Sequence, residues 1–462
     1  MSKSNVKLGL REKMSYGLGD FASSMFWKLF SMFLLYFYTD IFGISAAAVG
    51  TMFLVTRVWD AANDPIMGMI TDRTTTKWGK FRPYLLFVAI PFGIIGVLTF
   101  TTPDLDSTSK LIYAYITYTM MMMVYTAVNV PYGSLLAVMT SDSNERTSLA
   151  SWRFIGAYAG GMLVTSTASI LVDYFSQGAG EETGYQYTVA SYAIVAAALF
   201  ILTFLGTKER LQPSVESQGD LKSDLKDLLH NRPWFIMLAA NISILIFMSL
   251  RDGSILFYFK YVVGDQVLNL FGSTWQLSVA ILSSAYMSLW LGANIIGVVL
   301  AKPISAILGK KNSFGYAALL SAILSILFFF IPADRIVLIF LLNLLIGISS
   351  GIVMPLGWSM YADIADYSEW KTGRRATGLV FSSSSMSQKF GWTLGGALSG
   401  WVLAAYGFEA NVAQGVGALL GIKLMFSVFA GVGAFLSFLA IQFYKLDEGF
   451  MKKVNIELQK QE

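Results

Sequence analysis

The stretch Arg57–Pro83, RVWDAANDPIMGMITDRTTTKWGKFRP, decides the fold class of this chain. It begins inside a long apolar segment, yet Arg57, Asp60 and Asp64 stand there at a spacing that puts them on one face of a helix. A charged side chain within a membrane span costs ~2.5–3.5 kcal/mol, and such residues usually face an interior cavity on an ion or substrate path. The stretch therefore predicts a membrane-embedded transport site.

The composition agrees with a membrane protein. Of the 462 residues, 55% are hydrophobic and only 13% are charged, whereas a soluble protein carries about 25% charged residues. The chain has no cysteine and a single histidine, His230, which argues against disulfides, His-based metal sites and His-dependent enzymes. No Gly-rich loop followed by Lys-Ser or Lys-Thr is present, which argues against an ATP-driven pump. The basic residues lie in short turns, so we expect no nucleic-acid partner.

The apolar segments predict an all-α membrane protein with about twelve transmembrane helices, since one span needs ~20 mostly apolar residues. The longest connection, 208–232, separates a six-helix bundle at 1–207 from a second bundle at 233–443, with a tail at 444–462. Within the connection, Asp220–Leu229 predicts an amphipathic surface helix. Similar turns recur in the two halves, which indicates pseudo-symmetric repeats, a transporter architecture.

Lysine and arginine residues precede the first span and follow the second, eighth and tenth spans, while the alternate loops hold mostly acids. Because basic loops stay on the cytoplasmic side, we expect both termini to be cytoplasmic.

The acidic residues of the second span predict a cation site. Asp60 and Asp64 are one helical turn apart with Asn63 beside them, and a small hard cation binds several such oxygens. A proton is an alternative ligand, because close carboxylates in a low dielectric raise one pKa. The structural alternative is an ion pair between Arg57 and either aspartate.

Other polar residues within spans are candidate substrate contacts. Lys28 lies twelve residues along the first span, or ~18 Å, which is near the membrane midplane. Asn129 in the fourth span, Arg153 in the fifth and Lys389 in the eleventh are further candidates. Pairing or packing is the alternative for each. In the seventh span, Arg251-Asp252-Gly253 predicts a broken helix with an internal ion pair and a structural or gating role.

Three motifs carry a resemblance to a known family. WDAANDPIMG with WGKFRP, YTAVNVPYGSL and ADIADYSEWKTGRRATG resemble those of the glycoside–pentoside–hexuronide:cation symporters, which are secondary transporters of the major facilitator superfamily. The resemblance covers nearly the whole chain. It implies sugar import by alternating access in a bacterial cytoplasmic membrane. The expected partners are a small sugar and membrane lipid, with no obligatory protein partner and no cofactor besides the coupling ion.

The family's cation site maps onto Asp60, Asn63, Asp64 and Thr126. The resemblance thus implies coupling to Na⁺, with H⁺ or Li⁺ as substitutes.

The sugar site maps less completely. Aspartates that bind sugar in the family correspond to Ser24 and Asn129 here, whereas the basic positions Arg153 and Lys389 are retained and Lys28 is added. We therefore expect an anionic substrate, such as a hexuronide, bound by Lys28 and Arg153. Proton-coupled import of a neutral pentoside or xyloside is the close alternative, and a lysolipid carrier is a remote one. The predicted substrate-binding residues are Ser24, Trp27, Lys28, Asn129, Arg153 and Lys389.

We expect cation binding to neutralise Asp60 and Asp64 and to release Arg57 or Lys389, which would couple cation and sugar reciprocally. The charged turns 72–82 and 363–375 would latch the transporter as its halves rock. The predicted coupling or gating residues are Arg57, Asp72, Arg82, Arg251, Asp252, Asp363 and Arg375.

Overall fold

The computed structural model describes residues 8–140, 143–210, 231–270, 273–372 and 377–459. The first helices are α1 (Leu10–Tyr36), α2 (Ala46–Arg73), α3 (Arg82–Phe87), α4 (Ala89–Thr99), α5 (Ser107–Met139), α6 (Ser143–Ser176) and α7 (Glu181–Gly206). The later helices are α8 (Arg232–Phe257), α9 (Val279–Leu308), α10 (Lys310–Phe328), α11 (Ile336–Thr372), α12 (Thr377–Ala405), α13 (Val416–Leu424), α14 (Ala430–Gln442) and α15 (Glu448–Gln459). Short π-helical segments follow α1 (Phe37–Ile41), α8 (Tyr258–Val263) and α13 (Met425–Phe429).

The helices confirm the predicted all-α membrane architecture. Eight helices in the described part of the chain are long and apolar enough to cross a membrane, and two shorter apolar helices accompany them. The described residues contain one pair of antiparallel strands, β1 (Gln266–Leu270) and β2 (Ser273–Leu277). They also contain an isolated β-bridge between Thr76 and Gly79. The sequence gives no prediction of these strands.

The chain divides into two compact units. The first contains α1 to α7, and the second contains most of α8 to α15. The amphipathic helix predicted at Asp220–Leu229 lies outside the described residues.

In the first unit, α1 and α6 pack backbone against backbone because glycines line their contact. A Cβ on Gly17 would stand 2.5 Å from the carbonyl oxygen of Trp152. A Cβ on Gly156 would overlap the Gly17 carbonyl, and one on Gly160 would overlap that of Phe21. Membrane helices commonly use small residues for such close approach. The contact fixes the position of α1 against α6.

Glu209, just after α7, holds the turn between α2 and α3. Its carboxylate accepts hydrogen bonds from the backbone N–H groups of Lys80, Phe81 and Arg82, each at 2.8 Å. Gly79 precedes them with φ of +112°, and a Cβ there would stand 2.5 Å from the carboxylate. Only glycine adopts such a φ readily, so the turn is shaped around this acid.

Two arginines complete the same end of the first unit. Arg82 donates from its terminal nitrogens to the carbonyls of Phe204 at 2.6 Å and Trp78 at 3.2 Å. Arg210 donates from both terminal nitrogens to both carboxylate oxygens of Glu12, at 2.7 and 2.8 Å. The segment after α7 is therefore tied to α1 and to the α2–α3 turn.

In the second unit, α12 packs closely on α8. A Cβ on Gly395 would overlap the Ser249 side chain, and the amide of Asn241 donates to the Ser387 hydroxyl at 2.7 Å. The last helix of this unit, α15, lies along α11. There the Trp370 indole donates to Glu457 at 2.6 Å.

The predicted break in the seventh span is wrong. Helix α8 runs unbroken through Arg251, Asp252 and Gly253, and the departure from α-helix begins only at Tyr258. Arg251 is buried, and it donates to the Tyr286 hydroxyl at 2.6 Å and to the Phe426 carbonyl at 3.2 Å. Neighbouring helices thus stabilise the charge, so the helix need not open to do so.

We expect Gly156→Ala to lower the thermal stability of the purified protein. The added methyl would overlap the Gly17 carbonyl, and overpacking of this kind costs about 1–3 kcal/mol, which for a chain of this size lowers Tm by several degrees. Gly292→Ala is the matched control, since nothing lies within 4 Å of a Cβ there. Equal Tm values for the two variants in detergent would contradict the close α1–α6 contact.

Candidate functional site

Three of the four predicted cation ligands, Asp60, Asp64 and Thr126, lie together between α2 and α5. The Thr126 hydroxyl contacts Asp60 Oδ1 at 3.2 Å and Asp64 Oδ1 at 3.0 Å. Asp60 and Thr126 are each 3% exposed, and Asn63 is 9% exposed. Asn63 follows Asp60 within one turn of the same helix. Two carboxylates within reach of one hydroxyl repel each other unless a positive charge or a proton joins them, so the cluster can bind a cation.

Arg57 provides one positive charge to this cluster. Its Nη1 lies 3.3 Å from Asp60 Oδ2, opposite the oxygen that contacts Thr126. Its guanidinium carbon lies 5.2 Å from the ring centroid of Trp27 on α1, at cation–π distance. The cation-site and ion-pair interpretations of the sequence therefore describe the same aspartate. A cation bound at Asp60 would therefore compete with the guanidinium of Arg57 for the same carboxylate.

The predicted substrate residues of α1 and α5 adjoin this cluster. Trp27 lies 6.1 Å from the ring of Tyr125, the residue before Thr126. Asn129 donates its amide to the Tyr125 carbonyl at 3.1 Å, which directs the amide nitrogen to its own helix. Ser24 and Lys28 are half-buried on α1. The structure thus brings α1 and α5 together around polar side chains.

Arg153 pairs with an acid, Asp20, that is not among the predicted site residues. Its Nε donates to Asp20 Oδ2 at 2.9 Å, and its guanidinium carbon lies 5.3 Å from the Tyr132 ring. Asp20 stands four residues before Ser24 and so lies on the same face of α1. Asp20 thus supplies a carboxylate one turn away from the position that the family uses, and the expected anionic substrate stays a prediction. The i, i+4 spacing to Ser24 is the signal that identifies Asp20.

The remaining predicted residues lie elsewhere in the first unit, in the second unit, or outside the described residues. In the first unit, Arg82 bonds to backbone carbonyls. In the second unit, Lys389 is half-buried on α12, and Asp363 accepts from Lys310 Nζ at 2.8 Å. The side chain of Asp72 and residue Arg375 are not among the described parts of the chain, so the latch between their turns stays a prediction. Asp252 is buried beside Arg251 in the second unit.

Comparison with known proteins identifies the family. The model of the MFS/sugar transport protein family matches residues 15–448. The chain belongs to this family. An inner membrane symporter of Escherichia coli K12, YicJ, is 38% identical over 99% of this chain and 96% of its own length. An isoprimeverose transporter of Lactiplantibacillus pentosus is 37% identical over 95% of this chain and 89% of its own length. A glucuronide carrier protein homolog of E. coli K12 is 32% identical over 98% of this chain and 96% of its own length.

These relatives confirm the resemblance to glycoside–pentoside–hexuronide:cation symporters, and the protein is a membrane transporter rather than an enzyme. Solved structures support the major facilitator fold. The nucleoside transporter NupG covers 94% of this chain and all of its own chain, with a TM-score of 0.62 at 15% identity. A bacterial homologue of the peptide transporters PepT1 and PepT2 covers 96% of this chain and 99% of its own, with a TM-score of 0.68 at 14% identity.

We expect Thr126→Val to weaken cation dependence of transport. The change keeps the side-chain shape but removes the oxygen between Asp60 and Asp64, and loss of a hydrogen bond to a charged group costs about 1.5–3 kcal/mol, or roughly tenfold or more in affinity. The measurement is the cation concentration that gives half-maximal uptake. Thr165→Val is the control, because that buried hydroxyl donates only to a carbonyl of its own helix. A similar effect of both variants would count against a ligand role for Thr126.

Proposed function

We propose that this protein is a Na⁺-coupled symporter that imports a neutral glycoside by alternating access. The observation that carries the proposal is the Thr126 hydroxyl lying within 3.2 Å of both Asp60 and Asp64. With the Asn63 amide on the same helix, the cluster offers carboxylate, hydroxyl and amide oxygens, the ligand types that hard cations prefer.

Na⁺ suits this cluster better than H⁺ does. A coupling proton needs only one carboxylate of suitable pKa, whereas two carboxylates, a hydroxyl and an amide on two helices form most of a coordination shell. Because Thr126 belongs to α5 and the aspartates to α2, a cation bound there would draw the two helices together.

Arg57 gives a physical route to coupling. Arg57 Nη1 lies 3.3 Å from Asp60 Oδ2 and balances its charge. A cation at Asp60 competes with this contact and shifts Arg57 against Trp27, which lies on α1 among the proposed sugar contacts. Linkage then requires that sugar binding raises cation affinity by the same factor as cation binding raises sugar affinity.

The charge balance of the first unit favours a neutral substrate. The acids and bases named so far on α1, α2 and α6 within this region of the sequence are equal in number: Asp20, Asp60, Asp64, Lys28, Arg57 and Arg153. Since Arg153 already pairs with Asp20, a substrate carboxylate at Arg153 would lie beside an existing carboxylate, which disfavours an anion there. The relative named for isoprimeverose, an uncharged sugar, is 37% identical, against 32% for the one named for glucuronide. The anionic substrate expected from the sequence is the alternative.

The basic turns support an orientation with both termini in the cytoplasm of a bacterium. A relative named as an inner membrane symporter, 38% identical over 99% of the chain, supports the same membrane.

The decisive experiment is uptake of labelled xyloside and labelled glucuronide into membrane vesicles, with and without a Na⁺ gradient at fixed pH. Xyloside accumulation that requires Na⁺ is the expected result. Na⁺-dependent glucuronide uptake without xyloside uptake would keep the cation site and reject the neutral substrate. Uptake that follows a pH gradient and ignores Na⁺ would assign Asp60 and Asp64 to protons.

We expect Asp64→Asn to abolish Na⁺-driven accumulation, because the neutral amide cannot balance the charge of the cation. Exchange of labelled for unlabelled sugar at equal concentrations, which needs no net cation movement, should persist at a measurable rate. Asp173→Asn is the control, since Asp173 is exposed near the end of α6. Concentrative uptake by the Asp64 variant would remove this residue from coupling.

A further inference from the structure

We propose that Asp20 and Arg153 together form the subsite that binds a pair of sugar hydroxyls, with Asp20 as a substrate-binding residue. The inference rests on the proposed function and names the acid that the sugar site otherwise lacks.

The ion pair leaves hydrogen-bonding atoms available. It is made by Arg153 Nε and Asp20 Oδ2 at 2.9 Å. The contact uses one nitrogen of the guanidinium and one oxygen of the carboxylate, and the Tyr16 hydroxyl also lies within hydrogen-bonding reach of the guanidinium. The two side chains are 35% and 14% exposed, respectively. Together they offer donors beside an acceptor, the set that adjacent sugar hydroxyls need, since each hydroxyl both donates and accepts.

A second ion pair of the same helix shows what a purely structural pair looks like here. Glu12 and Arg210 join both carboxylate oxygens to both terminal nitrogens, so the fork of the guanidinium is fully used. Asp20 and Arg153 meet instead through the side nitrogen Nε and a single carboxylate oxygen. This open geometry is typical of a pair that binds a third group.

The α1–α6 contact does not need the pair for its stability. Gly17, Gly156 and Gly160 already bring the two backbones into direct contact on either side of it. An ion pair between two largely buried side chains adds little net stability, because the desolvation of the charges offsets their attraction. Ligand binding is therefore the better physical reason for two charges at this point of the interface.

The pair is also held in a fixed orientation. The guanidinium lies 5.3 Å from the Tyr132 ring, which stacks on Tyr16 at 4.7 Å between centroids. The Tyr132 hydroxyl donates to the Tyr16 carbonyl at 2.7 Å, and Gly19 leaves room for the ring against α1. A subsite fixed before binding loses less entropy when the sugar arrives.

Its place on α1 connects it to the cation cluster. Asp20, Ser24 and Trp27 are spaced i, i+4, i+7 and share one face of the helix. Seven residues of helix separate Asp20 from Trp27 by ~10 Å, and Trp27 contacts Arg57. A substrate of two sugar units would reach from the Asp20–Arg153 pair to the aromatic ring beside Arg57.

The test is sugar binding and uptake by Asp20→Asn, with Glu12→Gln as the matched control. Asp20→Asn keeps the side-chain shape but removes the charged acceptor. We expect the Kd and KM for labelled xyloside to rise about tenfold or more, while Vmax and the Na⁺ concentration for half-maximal uptake stay within about twofold. Glu12→Gln, which also removes an acid from an α1 ion pair, should leave Kd and KM unchanged.

A double-mutant cycle separates a binding pair from a structural one. If the pair acts as a unit, Asp20→Asn should raise Kd far less in an Arg153→Gln background than in the natural chain. If Asp20→Asn is not recovered from membranes, Asp20→Glu takes its place, because it keeps the charge and displaces the oxygens by one methylene. A fall in Vmax or in Tm with unchanged Kd and KM would overturn the proposal for either variant.

The failure of the proposed function would look different. Equilibrium sugar binding needs no gradient, so absent Na⁺ dependence in the natural chain would reject the coupling ion, and a raised Kd in Asp20→Asn would still support the subsite. Tighter glucuronide binding by Asp20→Asn, with xyloside binding unchanged, would overturn the neutral-hydroxyl subsite, since an anion gains when a neighbouring carboxylate is removed.

Discussion

The structure of the first unit depends on two buried aspartates that share one hydroxyl. Burying like charges within a few ångströms is unfavourable unless a positive charge or proton balances them, and this requirement accounts for the neighbouring residues. Arg57 takes the outer oxygen of Asp60, Thr126 takes the inner one and that of Asp64, and Trp27 supports Arg57 from α1. A site built in this way is sensitive to the arrival of one more cation.

The glycine contacts between α1 and α6 matter to function because they determine which side chains of α1 face the centre of the first unit. With Gly17 against Trp152 and Gly160 against Phe21, α1 cannot rotate, and Asp20 is directed at Arg153. The same rotation places Trp27 at Arg57. The glycine packing between α1 and α6 thus determines where the polar side chains of α1 lie.

Much of this arrangement could be predicted from the sequence, for reasons that differ between residues. Asp60 and Asp64 are visible because charges are rare in apolar spans, and their helical spacing is local information. Thr126 enters only through the resemblance, since nothing local marks a threonine as a ligand. Asp20 is not predicted as a site residue because its role depends on an approach of α1 to α6, across 133 positions of sequence. The break predicted at Arg251 is wrong because Tyr286 and Phe426 stabilise the charge from other helices.

The two acid–base pairs of the first unit differ in a way that suits their proposed roles. Arg57 and Asp60 lie 3.3 Å apart, and Asp60 is nearly inaccessible, so a small cation can enter where a sugar cannot. Asp20 and Arg153 are more exposed and are bonded through a single nitrogen, so hydroxyls can join them without displacing either charge. Under the proposed coupling, a bound cation would compete with Arg57 for Asp60, and Trp27, on the same helix face as Asp20, would carry the change to the sugar.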